Sequence, residues 1–412
     1  MTRLVIIGGG HAAAQIATSL RMKKFEGEVT LISDEPVVPY QRPPLSKMYL
    51  SGEITAERLP ILREQAYEAA GITLKLGVRA TAIDRQAKVV TLASGESVPY
   101  DKLILAPGGH ARRLSCKGAE LAGIHYVRTM TDTDAMRGEF TSAQHVLIIG
   151  GGYIGLEVAA VARKAGKRVT VLEAADRILA RVVAPEVSTF YTRLHEEEGV
   201  QVFTNEMVSE IEGHDRATAV LTASEKRFEA DMIVAGIGLV PNSELAVAAG
   251  ITAGEHGIEV NGHCQTSDPD IYAVGDAAWF THAFYGRAMR LESVQNAVDQ
   301  AKVAVEHIMG EETHYDALPW FWSDQYGLKL QIAGLSQGYD TLVVRGDTGE
   351  RSVAFFYLKD GAIIAADCVG RIAEFMNAKK LIAAKVQVSA NTLADDSRPF
   401  KEIAADLLAE QG

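Results

Sequence analysis

The chain has 412 residues, with 41 Lys and Arg against 53 Asp and Glu, a formal net charge of −12. That balance excludes a protein whose main business is wrapping nucleic acid, because phosphate contacts need clustered cations. With 47% hydrophobic and 23% charged residues, disorder is excluded for most of the length, and at about 150 residues per domain two or three domains are expected.

The first apolar run, Leu4-Val-Ile-Ile7, stops after four residues at Gly8-Gly9-Gly10, too short for a secretory leader, so a cytoplasmic protein is expected. The segment Arg3-Leu-Val-Ile-Ile-Gly8-Gly-Gly10-His11-Ala12-Ala13 predicts a buried parallel strand, a glycine turn and a helix to about residue 20. Residues 29–34 predict the next strand, ending at Asp34 with Glu35 beside it. Residues 88–92 and 100–106 predict two short strands ahead of Pro107-Gly108-Gly109. The chain then repeats itself. His145-Val-Leu-Ile-Ile-Gly150-Gly-Gly152-Tyr153-Ile154-Gly155 predicts a second strand, turn and helix, and residues 168–173 a strand ending at Glu173. Each copy is a βαβ unit.

Residues 230–235 predict a strand before the glycine-rich exit Gly236-Ile-Gly238-Leu-Val-Pro-Asn242, and residues 266–276 a strand ending at Asp276 after Gly275. An amphipathic helix is expected over 293–309. From about residue 319 the alternation becomes that of strands, at 328–333, 341–345, 352–358 and 362–368, with a helix over 374–384. No stretch reaches ~18 apolar residues, so no membrane-spanning helix is expected; residues 146–161 are broken by glycines and by Glu157.

In such a unit the first glycine permits a tight turn, the second lets backbone approach a pyrophosphate, and the third small residue lets the helix pack on the strand. The pyrophosphate rests on the helix N-terminus, and an acid about 20 residues on accepts from a ribose hydroxyl. Gly8, Gly10 and Ala13 with Asp34 or Glu35 fill these places once, and Gly150, Gly152 and Gly155 with Glu173 fill them again. Two dinucleotide sites in one chain imply two dinucleotides, and a nicotinamide cofactor with FAD is the pair in which one delivers a hydride and the other receives it. Glu173, with the first base only at Arg177, points to NADH rather than NADPH. The three cysteines, Cys116, Cys264 and Cys368, stand alone, so neither a disulfide framework nor a metal site is expected.

Nearly end to end, the chain resembles the flavin-dependent NADH:ferredoxin reductases that serve bacterial oxygenases, the putidaredoxin reductase type of the glutathione-reductase-like flavoproteins. Besides both glycine motifs, the resemblance rests on Tyr40-Gln-Arg42-Pro43-Pro44-Leu45-Ser46-Lys47, Tyr153-Ile-Gly-Leu-Glu157, Tyr272-Ala-Val-Gly275-Asp276, Glu292-Ser293-Val294-Gln-Asn296-Ala297 and Pro319-Trp320-Phe-Trp322-Ser-Asp324-Gln-Tyr326. It implies two Rossmann-like dinucleotide-binding domains and a C-terminal α+β domain with a mostly antiparallel sheet. The FAD domain would be split over 1–112 and 241–315, the NAD domain would take 113–240 and the last domain 316–412. FAD would be held by Gly8, Gly10, His11, Ala12, Ala13, Asp34, Glu35, Arg42, Lys47, Ala80, Arg128, Gly275, Asp276, Ser293, Val294 and Trp320. NAD would be held by Gly150, Gly152, Tyr153, Ile154, Gly155, Glu173 and Gly238.

The expected chemistry is hydride transfer from NADH to flavin, then single electrons to a 2Fe–2S ferredoxin. Lys47 would be the cation beside the flavin, paired with Glu157, and these two are the expected catalytic side chains. His11 reads as a base or as a bystander opening a helix, and Trp320 and Trp322 as core or as pocket wall. No cysteine lies at residues 36–47, where disulfide-reducing and peroxide-reducing relatives carry theirs. Electrons would therefore leave the flavin directly. Docking would be transient and electrostatic, with Lys302, Lys329, Lys379 and Lys380 as candidate contacts, and the protein a monomer or weak dimer. The alternatives are a rubredoxin reductase, or an NADH-sensing flavoprotein resembling apoptosis-inducing factor.

Overall fold

The computed structural model describes residues 1–410, which form two compact units. The first comprises Met1–Pro43, Thr55–His110 and Leu239–Ala317; the second comprises Pro44–Ile54, Ala111–Gly238 and the chain from Leu318 on.

In the first unit five parallel strands lie in the order Ile271–Ala273, Lys102–Leu105, Arg3–Ile7, Glu28–Ser33, Ile72–Leu76. The run Leu4 to Ile7 is aliphatic because this strand is central, pairing with Val29 to Ile32 on one side and Lys102 to Leu105 on the other. The helices His11–Met22 and Val294–Ile308 pack together, and the antiparallel ribbon Ala80–Asp84, Val89–Leu92, Ser97–Pro99 contributes Ile83, Val90, Leu92 and Val98 to a core shared with Val5, Ile7 and Ile32.

The second unit repeats the plan. Its parallel strands run Val200–Phe203, Arg168–Leu172, His145–Ile149, Met232–Ala235, Ile124–His125, with the helix Tyr153–Lys164 after the second glycine turn. The ribbon Val208–Gly213, Ala217–Thr222, Arg227–Glu229 supplies Ile211, Ala217 and Val220 to its core. The same unit carries an antiparallel sheet in the order Trp320–Gln325, Leu328–Gly334, Ala362–Val369, Val353–Lys359, Thr341–Gly346, against which the helix Ile372–Ala383 lies. The fold class is the expected one.

Two expectations need correction. Asp276 does not end a strand: the strand stops at Ala273, and Gly275, at φ +76°, turns the chain into a short helical turn, Gly275–Ala277, that carries Asp276. The strand Trp320–Gln325 was not anticipated. It is held by a two-residue hairpin at Tyr326 and Gly327, both with positive φ, the geometry whose twist matches that of paired strands. Among the described residues no helix is long and apolar enough to cross a membrane.

Candidate functional site

The two glycine turns divide their labour alike. Gly8 has φ +136°, and a Cβ there would stand 2.0 Å from the Ala106 carbonyl oxygen; Gly150 has φ +102°, with the Gly236 oxygen 2.4 Å away. These glycines are required by the turn. At the third position Ala13 is fully buried, and a Cβ on Gly155 would meet the Gly150 oxygen at 2.3 Å. The middle glycines differ. Nothing lies within 4 Å of a Cβ on Gly10, and for Gly152 only the Gly236 oxygen at 4.0 Å. Packing within the chain gives no reason for glycine at either place, whereas close approach of a pyrophosphate does. Gly10 and Gly152 are also the N-caps of their helices, with no side-chain cap and no acid in the first turn, so the positive helix ends are left to an anion. His11, Ala12 and Ala13 open the first of these helices, and Tyr153 and Ile154 the second.

At the strand ends the acids behave differently. Asp34 is exposed, while Glu35 receives a hydrogen bond from Tyr40 Oη at 2.6 Å and an ion pair from Arg42 at 2.5 Å. Glu173 lies just past its strand, half-buried, its two oxygens accepting from the Gly151 amide at 2.7 Å and the Ala175 amide at 2.8 Å. Its carboxylate is thereby fixed against the second glycine turn.

Lys47 and Glu157 pair in the second unit, Nζ to Oε2 at 2.7 Å. Glu157, on the helix Tyr153–Lys164, is 3% exposed and accepts two further hydrogen bonds, from Ser46 Oγ and Ser323 Oγ, each at 2.6 Å. Three donors satisfy a carboxylate that would otherwise be costly to bury. Behind Ser323 the network continues. Gln325 Nε2 donates to Ser323 Oγ at 3.1 Å, and Gln325 Oε1 accepts from His195 Nε2 at 2.8 Å. Tyr326 Oη then meets His195 Nδ1 at 2.9 Å. Burial drives the His195 imidazole down to about 4, so it stays neutral and the amide orientation is locked. Sequence reasoning missed Ser46 and Ser323 as partners of Glu157, and Gln325 and His195 as the groups behind Ser323. Ser46, Ser323 and Gln325 stood inside the motifs that carried the resemblance, and His195 had no local signal.

The remaining assigned residues divide between the units. Ala80, Gly275, Asp276, Ser293 and Val294 belong to the first, Arg128, Trp320 and Gly238 to the second. Ser293 caps the helix Val294–Ile308 through the Asn296 amide. Nearby, the Gln300 side chain accepts from the Gly275 amide at 2.8 Å, while buried Asn296 Oδ1 and Gln300 Nε2 have no protein partner. Trp320 is half-buried beside Trp322 and under the Lys379 ammonium, 5.0 Å from its ring. Of the other docking candidates, Lys302 pairs with Asp299 and Lys329 with Asp324, while Lys380 is exposed.

None of the cysteines forms a disulfide, Cys264 and Cys368 are buried, and burial raises all three thiols above their ordinary range. A reactive thiolate pair is absent among the described residues.

Residues 2–301 match the model of the pyridine nucleotide-disulphide oxidoreductase family, and residues 320–404 that of the reductase C-terminal domain. The chain belongs to this family. A ferredoxin reductase subunit of 5,5'-dehydrodivanillate O-demethylase from a Sphingobium strain is 46% identical over 404 residues, 97% of this chain and 98% of that one. Putidaredoxin reductase of Pseudomonas putida is 43% identical over 413 residues, 99% of this chain and 98% of its own. The crystal structure of the covalent putidaredoxin reductase–putidaredoxin complex matches at TM-score 0.95 and 43% identity, covering 99% of both chains. Members of the family work with FAD and NAD(H), which the two glycine turns fit. The family name refers to disulphides, yet this member's cysteines are not placed for disulphide chemistry.

Proposed function

We propose that this protein oxidises NADH on FAD and passes the electrons singly to a 2Fe–2S ferredoxin that feeds an oxygenase. The observation that carries the reading is the full-length likeness to ferredoxin reductases, in a chain whose two middle glycines face open space where a pyrophosphate belongs. Bound flavin supplies the change from a two-electron donor to a one-electron acceptor.

The chain's own residues bind and orient. Gly8, Gly10, His11, Ala12, Ala13, Asp34, Glu35, Arg42, Ala80, Gly275, Asp276, Ser293 and Val294 hold FAD, joined by Lys47, Arg128 and Trp320. Gly150, Gly152, Tyr153, Ile154, Gly155, Glu173 and Gly238 hold NADH. Lys47, its ammonium held by Glu157, would supply positive charge to the flavin when that cofactor is bound. No thiol takes part. The protein works in the cytoplasm, as a monomer or weak dimer, and meets its ferredoxin transiently.

Steady-state turnover of the FAD-loaded protein with NADH and a panel of carriers tests this. A 2Fe–2S ferredoxin should be reduced faster than rubredoxin or a quinone. Preference for rubredoxin would make it a rubredoxin reductase, and slow reduction of every carrier would make it an NADH-responsive signalling flavoprotein.

A further inference from the structure

In the first unit, away from the glycine turns in sequence, three histidines and a glutamate gather. His263 sits on a tight turn in which Asn261 Oδ1 accepts from the amides of His263 and Gln265, and Cys264 takes φ +60°. Glu312 and His314 follow the helix Val294–Ile308, fixed to that turn by the Tyr315 amide on the Gly262 oxygen at 2.7 Å. A Cβ on Gly262 would stand 2.9 Å from His314 Nδ1, so glycine there lets the second imidazole come down on the turn. The His263 ring lies 4.1 Å from that of His314 and is stacked at 4.3 Å on His307, whose own Nδ1 is engaged by Tyr272 Oη at 2.9 Å.

Ligand atoms of His263, Glu312 and His314 all lie within 4.8 Å of each other. His263 Nδ1 is 2.6 Å from the Thr313 carbonyl oxygen, which can only accept. Nδ1 therefore carries the proton, and Nε2 is left with its lone pair. That is the orientation that second-shell carbonyls impose on metal-bound imidazoles. Zinc–nitrogen and zinc–oxygen bonds of about 2.0–2.2 Å place donors on one tetrahedral ion roughly 3.3–3.5 Å apart. Glu312 and His314 are exposed, and binding an ion would require their side chains to turn inward by that difference.

We propose that His263, Glu312 and His314 form a binding site for a divalent transition-metal ion of the zinc class, its remaining position open to water. Two imidazoles and one carboxylate select such an ion over Mg2+ or Ca2+, which take oxygen ligands. The bound ion ties the turn at residues 261–265 to the segment after the helix Val294–Ile308. Fifty residues separate His263 from Thr313, so no local motif announces the site and only the fold assembles it.

Calorimetric titration of untagged, FAD-loaded, EDTA-treated protein with ZnCl2 tests the proposal. A single micromolar or tighter Zn2+ site is expected, unmatched by MgCl2. His263→Gln, Glu312→Gln and His314→Gln should each weaken it by about tenfold or more, with the flavin spectrum unchanged as the check on folding. Zn2+ should also raise the melting temperature of the parent protein and leave that of His263→Gln/His314→Gln where it was. Absence of a micromolar site, or one that survives in the double variant, would overturn the assignment.

Discussion

Glu157 accepts from Ser46, Lys47 and Ser323 at 2.6–2.7 Å while almost wholly buried. Glu157→Gln keeps the shape, removes the charge that pairs with Lys47 and turns one acceptor into a donor facing donors. Losing a charge-assisted hydrogen bond costs about 1.5–3 kcal/mol, so NADH reduction of the flavin should slow by about ten- to a hundredfold while FAD stays bound. Stopped-flow bleaching of the flavin reads this, and an unchanged rate would remove the pair from the catalytic machinery. Glu173→Ala belongs to the same scale. It should raise the NADH KM by about ten- to a hundredfold, narrow the preference over NADPH and leave FAD content alone. An unaltered NADH/NADPH ratio would mean that Glu173 serves only the Gly151 and Ala175 amides. The sequence made Lys47, Glu157 and Glu173 visible through spacing and motif. It did not show that Glu173 would be held by two amides, because that follows from where the turn folds back.

At the scale of elements, the strand Trp320–Gln325 is joined to the helix Pro185–Glu197 by the bond between Gln325 and His195. His195→Phe fills the volume and strands the Gln325 and Tyr326 polar groups, so about 1–3 kcal/mol of stability should be lost. Denaturant unfolding checks this, and a neutral result would make the network decorative. The histidine's contribution has a definite sign. Its folded-state value lies below the unfolded ~6.5, so the stability it lends is present above pH 6.5 and lost as pH falls toward 4. The helices and parallel strands were legible because continuous aliphatic runs and glycine turns are local signals. Trp320–Gln325 was not, because its residues do not alternate: the three aromatics are half-buried, and only Ser323 and Gln325 are fully covered.

For the molecule as a whole, the buried acid of the antiparallel sheet sets a pH dependence. Burial lifts the Asp367 carboxyl to about 7, against the hydrogen bond from Tyr357 Oη at 2.5 Å that favours ionisation. A folded-state value above the unfolded ~3.9 means that its stabilising contribution is complete below pH 4 and lost as pH rises through 7. Asp367→Asn keeps an acceptor for Tyr357 and carries no charge. It should therefore gain on the parent protein as pH rises from 4 to 7, by on the order of 2–4 kcal/mol at the plateau. Melting curves across that range decide it, and a constant gap would show that Asp367 is ionised throughout.

The doubling of the dinucleotide unit was legible from the repeated glycine motif. The histidine cluster was not, since its members are distant in the chain. The proposed electron route runs from reduced flavin to a 2Fe–2S ferredoxin with no thiol between. Its most direct test is anaerobic stopped-flow mixing of NADH-reduced protein with oxidised ferredoxin, repeated on Cys116→Ser/Cys264→Ser/Cys368→Ser. The flavin colour should return at the same rate in both proteins. A parent flavin that stays bleached, or a folded, FAD-loaded triple variant that does, would contradict the claim.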